Sequence, residues 1–335
     1  MTITENISLK PYNTFGIDVS APKMLVIQQE ADILDFIASQ EKDFLILGGG
    51  SNLLFTQDVK SIVLKNELKG VKLVSETKDE VYVKVGAGES WHKVVLHCVA
   101  TNWGGLENLS HIPGSVGAAP IQNIGAYGVE LKDVFQELEA IHLVTGEKKV
   151  FSLEDCEFGY RDSVFKQALK GQYFITSVTF CLQKKPILNT AYGDIEKELK
   201  KMPDKEYSIR DVSNAVIAIR QSKLPNPAEL GNAGSFFKNP TISLKQFQRL
   251  RGEFPTMPSY PISENLIKIP AAWLIQQAGW KGKRLGNYGV HEKQSLILVN
   301  YGGASGQEIY QLSTDILASV KYIFGVELER EVNVV

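Results

Sequence analysis

Two glycine-rich segments have residue types that let a backbone approach an anionic ligand closely. Residues 48–52 read GGGSN and follow a short apolar run, FLIL, which predicts a buried strand entering a glycine loop. Residues 112–128 form a second stretch of this kind. Glycine permits close contact with a phosphate, and consecutive N–H groups then point at its oxygens. The first loop lacks the GxGxxG and P-loop patterns, so by itself it is equally typical of a tight turn. The two glycine-rich segments together indicate a long cofactor that bears a diphosphate.

Arg161 and Ser235 lie in short polar motifs and are candidates for chemistry at a substrate. A guanidinium is permanently charged and grips a carboxylate with two hydrogen bonds. The alternative for Arg161 is a surface ion pair with Asp162 or Glu157. Ser235 stands between a glycine and a phenylalanine, without the GxSxG pattern of a hydrolase. In isolation, such a serine is typical of a turn or a helix cap.

Three glutamates near the end of the chain are candidate acids. The alternation in residues 326–335 predicts a strand with Glu327, Glu329 and Glu331 on one face and apolar residues largely on the other. Three glutamates on one face usually mark a solvated edge. Periodicity does not choose among them.

The segments that must position these residues mix strand and helix patterns. Strand patterns occur at residues 44–47, 62–64, 81–85, 139–144, 149–152, 173–182 and 326–335. Helix patterns occur at residues 91–99, with Ser90 as N-cap, and at residues 209–221, 271–278 and 305–324. The last helix carries a capping box, Ser305 with Glu308, and a stop at Gly325. This mixture predicts an α+β fold, with a domain boundary at the proline-containing residues 223–227.

Composition restricts the class of protein. A chain of 335 residues fits two or three domains, and 44% apolar with 22% charged residues is ordinary for a globular protein. The net charge of −2, without basic patches, argues against nucleic acid or an anionic membrane as partner. The polar N-terminus is not a signal peptide, and no apolar run approaches the roughly 18 residues of a membrane span. Three scattered cysteines fit reduced thiols in a cytoplasmic protein, and the five histidines lack paired metal spacing, so we expect no metal.

Motifs spread in order over nearly the whole chain resemble the UDP-N-acetylenolpyruvoylglucosamine reductases, also called UDP-N-acetylmuramate dehydrogenases. They are NTFG at residues 13–16, GGGSNLL at 48–54, PGSVGAAPIQNIGAYG at 113–128, FGYRDS at 158–163, GNAGSFFKNP at 231–240 and LEREV at 328–332. Tyr192 and the full-length last third resemble the longer subtype of this family, which closes a tyrosine loop over its substrate.

The resemblance implies a fold and a cofactor. FAD-binding domains of the vanillyl-alcohol-oxidase type (PCMH-type) would be followed by a C-terminal α+β substrate domain. The implied division is residues 1–70 with 326–335, residues 71–220, and residues 221–325. FAD would be bound non-covalently, because the first glycine loop contains no histidine to tether it. The implied FAD-binding residues are Gly48, Gly49, Gly50, Ser51, Asn52, Leu53, Ile112, Pro113, Gly114, Ser115, Gly117, Ile121, Ile124, Gly125 and Arg220.

The resemblance also implies a reaction, the NADPH-dependent reduction of UDP-N-acetylglucosamine enolpyruvate to UDP-N-acetylmuramate in peptidoglycan precursor synthesis. Flavin N5 would deliver hydride, Ser235 would donate the proton, and Arg161 and Glu331 would stabilise the reacting carboxylate. The implied substrate-binding residues are Tyr127, Tyr192, Lys223, Asn239, Tyr260, Lys268, Lys281 and Gln294.

Two other functions stay open from the residues. One is a flavin oxidase or dehydrogenase of the same cofactor fold that acts on another small molecule. The other is a non-catalytic protein that binds a sugar nucleotide. Under each interpretation the partners are small molecules, without nucleic acid, membrane or an obligate protein partner.

Overall fold

A computed structural model describes residues 2–203 and 206–335, which form two compact units. The first unit comprises Met1–Ile7, Ala21–Gly49 and Lys60–Ser222. The second comprises Ser8–Ser20, Gly50–Val59 and Lys223–Val335. The longest second-unit segment thus begins where the sequence places the proline-containing boundary. The finer division into three domains stays a prediction.

Helices and strands alternate along both units. The helices are α1 Glu30–Ala38, α2 Trp91–Ala100, α3 Gly193–Leu199, α4 Ile209–Lys223, α5 Leu244–Glu253, α6 Ala271–Gln277 and α7 Gly306–Phe324. The strands are β1 Thr2–Ser8, β2 Ser20–Ile27, β3 Phe44–Leu47, β4 Leu53–Leu54, β5 Ile62–Asn66, β6 Val71–Glu76, β7 Glu80–Gly86, β8 Gly125–Ala126, β9 Val129–Glu130, β10 Phe135–His142, β11 Lys148–Ser152, β12 Tyr173–Gln183, β13 Thr241–Ser243, β14 Tyr260–Pro261, β15 Leu266–Lys268, β16 Arg284–Leu285, β17 Tyr288–Val290, β18 Leu298–Asn300 and β19 Asn333–Val334. The predicted α+β class is confirmed.

The first unit contains two main sheets. One has the order β1-β2-β5-β3, in which β5 pairs in parallel with both β2 and β3. The other is antiparallel, with the order β11-β10-β12-β7-β6. Alternation along β7 buries Val81, Val83 and Val85 on one face, as the period of two in the sequence predicts. Trp91 of α2 packs edge-on against Phe180 of β12 at 5.8 Å between ring centroids, which fixes the helix on this sheet.

The start of α2 differs from the expected cap. Ser90 occupies the N-cap position, but its side chain accepts no capping hydrogen bond in the described structure. The N–H of Trp91 donates instead to the carbonyl of Gly114 at 3.0 Å. The sequence predicts that Ser90 accepts from a free N–H group at the start of α2. In the structure, the second glycine segment accepts from such a group through Gly114.

The second unit is built around α7 and small antiparallel sheets. The capping box is confirmed, because Ser305 accepts from the N–H of Glu308 and the Glu308 carboxylate accepts from the N–H of Ser305. The helix ends at Gly325 in the left-handed conformation, φ 63°, as predicted. Aromatic rings fill the core, with Phe15 against Phe236 and Phe254 against Phe324.

The alternation in the last ten residues predicts one long strand, but the structure does not contain it. Burial does alternate from Val326 to Leu328, but regular pairing is confined to β19, which lies parallel to β4. A single bridge joins Arg330 to Phe237. The segment pairs with two partners in succession, and the change of partner interrupts the ladder.

All three cysteines are free thiols, two of them buried and Cys181 partly buried. Cys98 and Cys156 are buried free thiols, and burial raises the pKa of each to about 12. Such thiols pack as small apolar groups. Within residues 2–203 and 206–335, no helix is both long and apolar enough to cross a membrane.

Candidate active site

The two glycine-rich segments meet in the first unit. A Cβ placed on Gly49 would lie 2.9 Å from the Cα of Gly114, and one on Gly48 would lie 2.5 Å from the Oγ of Ser115. Real Cβ atoms do not approach backbone or fixed atoms so closely, so glycine is required where the loops touch. Gly117 is held by its N–H, which donates to the carbonyl of Ala87 at 2.8 Å.

Gly50, in the second unit, has even less space for a side chain than Gly48 and Gly49. It is buried, has φ 62°, and a Cβ there would lie 1.9 Å from the carbonyl oxygen of Tyr12. Its own carbonyl accepts from the N–H of Thr14 at 3.1 Å. Among the described residues, the N–H groups of Gly50 and Ser51 find no acceptor. Buried N–H groups are rarely left unpaired, so this loop is suited to an anionic oxygen from a ligand.

Other predicted cofactor residues have structural partners. Ile112, Ile121 and Ile124 pack against the core of the first unit. Asn52 donates through its side-chain amide to the carbonyl of Glu331 at 3.2 Å, and Leu53 belongs to β4. The apolar members thus support the second glycine segment, while Asn52 links the first glycine loop to the end of the chain.

Arg161 lies at the tip of a tight turn. Gly159 and Asp162 exchange backbone hydrogen bonds of 3.0 and 3.4 Å, and Arg161 has φ 54°. Its Nη2 donates to the carbonyl of Gly125 at 2.5 Å, and its guanidinium carbon lies 5.4 Å from the centroid of the Tyr160 ring. A left-handed arginine is uncommon and costs free energy, which marks the turn as a constrained feature. The bond to Gly125 ties the guanidinium to the second glycine segment.

Arg220 of α4 joins the same region of the first unit. Its Nε donates to the carbonyl of His111 at 3.1 Å, and Tyr127 hydrogen-bonds its side chain. Burial lowers the pKa of Arg220, Tyr127 acts against that shift, and the charge of Arg161 adds to it. The charge of Arg161 therefore acts on Arg220, which places the two guanidiniums in the same part of the first unit.

Two histidines border Arg220. The N–H of His111 donates to Nδ1 of His92 at 2.9 Å, and the ring centroids are 5.3 Å apart. Burial lowers the pKa of both, and the charge of Arg220 adds to each shift. His92 therefore accepts as a neutral imidazole and holds the backbone of His111 in place. The carbonyl of His111 in turn accepts from Arg220.

Tyr127 and Tyr192 come together, although they are 65 positions apart in the sequence. Their rings meet edge-to-face with centroids 5.5 Å apart. Tyr192 is the N-cap residue of α3 and is about half exposed. α3 overlaps the start of the lysine-rich residues 197–205, whose alternating charges are typical of a solvated helix face, and its Ile195 and Leu199 pack on α4.

Ser235 and Glu331 lie on paired segments of the second unit. The N–H of Glu331 donates to the carbonyl of Phe236 at 2.8 Å, and Phe237 forms a bridge with Arg330. On its other side Ser235 forms a bridge with Ile297. Of the three candidate glutamates, Glu327 bonds the exposed Lys321, and Glu329 bonds the partly buried Lys238. Glu331 is the half-buried one beside the serine segment.

The remaining predicted substrate residues of the second unit occupy separate elements. Tyr260 and Lys268 are cross-strand neighbours in the sheet of β14 and β15. Asn239 accepts from the N–H of Ala271 at 2.9 Å and so caps the start of α6. Lys281 donates to the side-chain oxygen of Gln276, and the side-chain Oε1 of Gln294 accepts from the N–H of Leu296. Lys223 is the last residue of α4.

The structure adds Asn123, which sequence reasoning leaves out of the site. This buried residue has φ 43°, and its amide donates to the carbonyl of Gly159 at 3.0 Å and to the Glu130 carboxylate at 3.1 Å. Its Oδ1 accepts from the N–H of Lys132. Asn123 thus joins the second glycine segment to the turn of Arg161. Asparagine tolerates the left-handed region better than most residues, and this was the available signal.

Comparison with known proteins covers both units. Residues 226–335 match the C-terminal domain model of UDP-N-acetylenolpyruvoylglucosamine reductase, and residues 27–152 match an FAD-binding domain model. The UDP-N-acetylenolpyruvoylglucosamine reductase of Flavobacterium johnsoniae is 50% identical, with 100% of each chain covered. That of Amoebophilus asiaticus is 47% identical over 100% of each chain.

A solved structure shows the same fold. The crystal structure of the UDP-N-acetylenolpyruvylglucosamine reductase from Thermus caldophilus superimposes with a TM-score of 0.69. The alignment covers 100% of this chain and 99% of that chain at 24% identity. The predicted FAD-binding fold with a C-terminal α+β domain is thereby confirmed.

Proposed function

The chain belongs to the UDP-N-acetylenolpyruvoylglucosamine reductase family, and on that premise we propose that it reduces UDP-N-acetylglucosamine enolpyruvate to UDP-N-acetylmuramate with NADPH. The observation that carries this proposal is the match to named reductases over the full length of both chains. Reductase chemistry of this kind serves peptidoglycan precursor synthesis. The enzyme is an FAD-dependent oxidoreductase.

FAD fits the glycine loops on local chemistry. In the second unit, the N–H groups of Gly50 and Ser51 are suited to an anionic oxygen of FAD. In the first unit, the glycine contact between Gly49 and Gly114 suits a ligand held close to the backbone. Arg220 of the first unit would add a positive charge. When bound, FAD would supply the hydride chemistry that transfers reducing equivalents from NADPH to the CH₂ carbon of the enolpyruvyl group. The absence of a histidine in residues 48–54 supports non-covalent binding.

Arg161 would bind the carboxylate of the enolpyruvyl group. Hydride addition at CH₂ places negative charge on the neighbouring carbon and its carboxylate, and a guanidinium stabilises that charge with two parallel hydrogen bonds. The contacts of Arg161 with Gly125 and Tyr160 hold its head group in one position. Preorganisation of this kind lowers the reorganisation needed during the reaction.

Ser235 would donate the proton that completes the reduction. The Oγ–H bond breaks, and its proton passes to the carbon next to the carboxylate, which carries the electron pair left by hydride addition. A hydroxyl is a weak acid, so this step requires a strongly basic acceptor and fixed geometry. Glu331 would hydrogen-bond the same carboxylate and help polarise it. The pairing of residues 236–238 with 329–331 supports joint placement of the two residues.

The sugar-nucleotide end would be bound by cations and hydroxyl donors. Tyr260 and Lys268 form a neighbouring pair of this composition on one small sheet. Lys281, Gln294, Lys223 and Asn239 would contribute from other elements of the second unit. Tyr127 and Tyr192 would form the aromatic contact of the longer subtype. We further propose that the enzyme acts in the cytoplasm, on small molecules, without an obligate protein partner.

The test is a two-step anaerobic titration of the purified protein after addition of FAD and removal of the unbound flavin. NADPH should bleach the visible flavin band, and UDP-N-acetylglucosamine enolpyruvate should restore it. A band that returns with oxygen and not with the enolpyruvyl substrate would identify a different flavin oxidase or dehydrogenase and contradict the proposed substrate. A protein that binds the sugar nucleotide without a flavin band would contradict the enzyme assignment.

A further inference from the structure

Arg330, which precedes Glu331, makes an unusually complete set of side-chain contacts with α7. Its Nε donates to the Oγ of Ser313 at 2.8 Å, and its Nη2 donates to the Oγ1 of Thr314 at 2.7 Å. The guanidinium carbon also lies 4.5 Å from the centroid of the Tyr310 ring. Three side chains of one helix turn therefore hold a single guanidinium.

The hydroxyls on α7 are oriented to receive Arg330. Both Ser313 and Thr314 donate their own protons to the carbonyl of Tyr310, at 2.6 and 3.1 Å. A hydroxyl has one proton and two lone pairs, so each oxygen is left as an acceptor that faces the arginine. Ser313 is fully buried, which limits its freedom to reorient. The helix thus presents two fixed acceptors at the spacing of a guanidinium.

The backbone on each side of Arg330 is fixed to the Ser235 segment. The N–H of Glu331 donates to the carbonyl of Phe236 at 2.8 Å, and the N–H of Lys238 donates to the carbonyl of Glu329 at 2.9 Å. The carbonyl of Glu331 accepts from the amide of Asn52 at 3.2 Å. Successive residues of an extended segment point to opposite faces, so anchoring Arg330 on α7 sets the direction in which Glu331 points.

We propose that Arg330 is a positioning residue that fixes Glu331 against the Ser235 segment through its bonds to Ser313 and Thr314. This inference rests on the proposed function, since it assigns Arg330 an effect on the step that Glu331 and Ser235 carry out. Arg330 need not touch substrate or cofactor. Its contribution is geometric, because a misplacement of about 1 Å at a reacting group costs on the order of 100-fold in rate.

The experiment is a double-mutant cycle with Arg330→Met and Glu331→Gln, measured on the two half-reactions separately. Arg330→Met keeps an unbranched side chain of similar length but removes both hydrogen bonds. We expect flavin reduction by NADPH to stay native and reoxidation by the enolpyruvyl substrate to slow by about 10- to 100-fold. In the Glu331→Gln background, the same substitution should change reoxidation by less than about two-fold, because the residue it positions is already disabled.

The matched control is Arg251→Met on α5, an exposed arginine whose guanidinium carbon lies 5.7 Å from the Phe247 ring centroid. This variant should retain both half-reactions. If Arg330→Met does not fold, Thr314→Val removes one acceptor and should show a smaller loss with the same dependence on Glu331.

The outcomes separate the two proposals. An equal loss from Arg330→Met in both backgrounds, or an equal loss in both half-reactions, would overturn the positioning role alone. Native reoxidation by the single Glu331→Gln variant would overturn the assigned role of Glu331 and the positioning role with it.

Discussion

Nη2 of Arg161 donates to the carbonyl oxygen of Gly125 at 2.5 Å, which joins the FGYRDS motif to the second glycine segment across 36 positions of sequence. Asn123 strengthens the same connection through its bond to the carbonyl of Gly159. The head group of Arg161 is therefore held by the segment that also contacts the first glycine loop.

Arg161→Lys should impair reoxidation of the flavin by the enolpyruvyl substrate while leaving reduction by NADPH near native. An ammonium carries the charge but lacks the planar pair of donors that grips a carboxylate. We expect a loss of about 10²-fold or more, measured by stopped-flow absorbance of the flavin band. Arg210→Lys, at an exposed position of α4, is the control and should leave both rates unchanged. Near-native reoxidation by Arg161→Lys would remove this residue from the mechanism.

Ser235→Ala should also separate the half-reactions. Removing one preorganised group commonly costs about 10²- to 10³-fold, and here the loss should fall on reoxidation because Ser235 supplies a proton only in that step. Ser243→Ala is a useful comparison within the same unit, since Ser243 caps α5 by accepting from the N–H of Gln246. That variant should lower the free energy of unfolding by about 1 kcal/mol and spare both half-reactions. Equal losses in the two half-reactions of Ser235→Ala would contradict the proton-donor role.

Gly49→Ala should weaken retention of FAD. The new Cβ would lie 2.9 Å from the Cα of Gly114, so the two loops of the first unit must separate. Gly193→Ala provides the control, because a Cβ there meets no atom within 4 Å and its φ is not positive. The measurement is the ratio of flavin to protein absorbance after purification and dialysis. A Gly49→Ala protein with the full ratio would show that loop contact does not govern cofactor binding.

Stability should fall as the pH drops below about 6.5, in part through His92. Burial, assisted by the charges of His111 and Arg220, lowers the pKa of His92 from its usual 6.5. The folded state then binds fewer protons than the unfolded state, so the contribution of His92 is fully present above pH 6.5 and is lost as the pH falls through the folded pKa. Protonation at Nδ1 would also break its bond from the N–H of His111.

His92→Asn tests this linkage, because the amide oxygen preserves an acceptor for His111 but does not titrate in this range. The difference in free energy of unfolding between pH 8 and pH 5, from urea denaturation, should be smaller than in the wild type. His97→Asn, at an exposed position of the same helix, is the matched comparison. A pH dependence unchanged by His92→Asn would assign the acid sensitivity to other groups.

Elements defined by local signals were predicted well. The long helix α7 has its cap, apolar face and stop within one contiguous segment, and all three are confirmed. The strand β10 was predicted with shifted limits, at residues 139–144 in place of Phe135–His142. Its charged residues obscured the pattern, since Glu139 forms ion pairs with Lys148 of the adjacent β11 and with Lys84 of β7, which lies beyond β12. Burial alone would raise the pKa of Glu139, but those lysines more than offset it and lower the pKa. A charge that is neutralised from another strand is invisible to local periodicity.

The sequence by itself determined the family, the α+β class, the two glycine segments and the motifs that hold Arg161, Ser235 and Glu331. Each of these depends on residue types at short spacing, which act through local backbone geometry. Only the tertiary structure decided which residues meet, such as Arg220 with Tyr127 in the first unit and residues 236–238 with 329–331 in the second. Roughly a hundred positions separate the partners in each case, and their contact depends on the packing of whole sheets and helices. Periodicity placed three glutamates on one face, and the tertiary structure pairs Glu327 with Lys321 and Glu329 with Lys238, while the N–H of Glu331 donates to Phe236 beside Ser235.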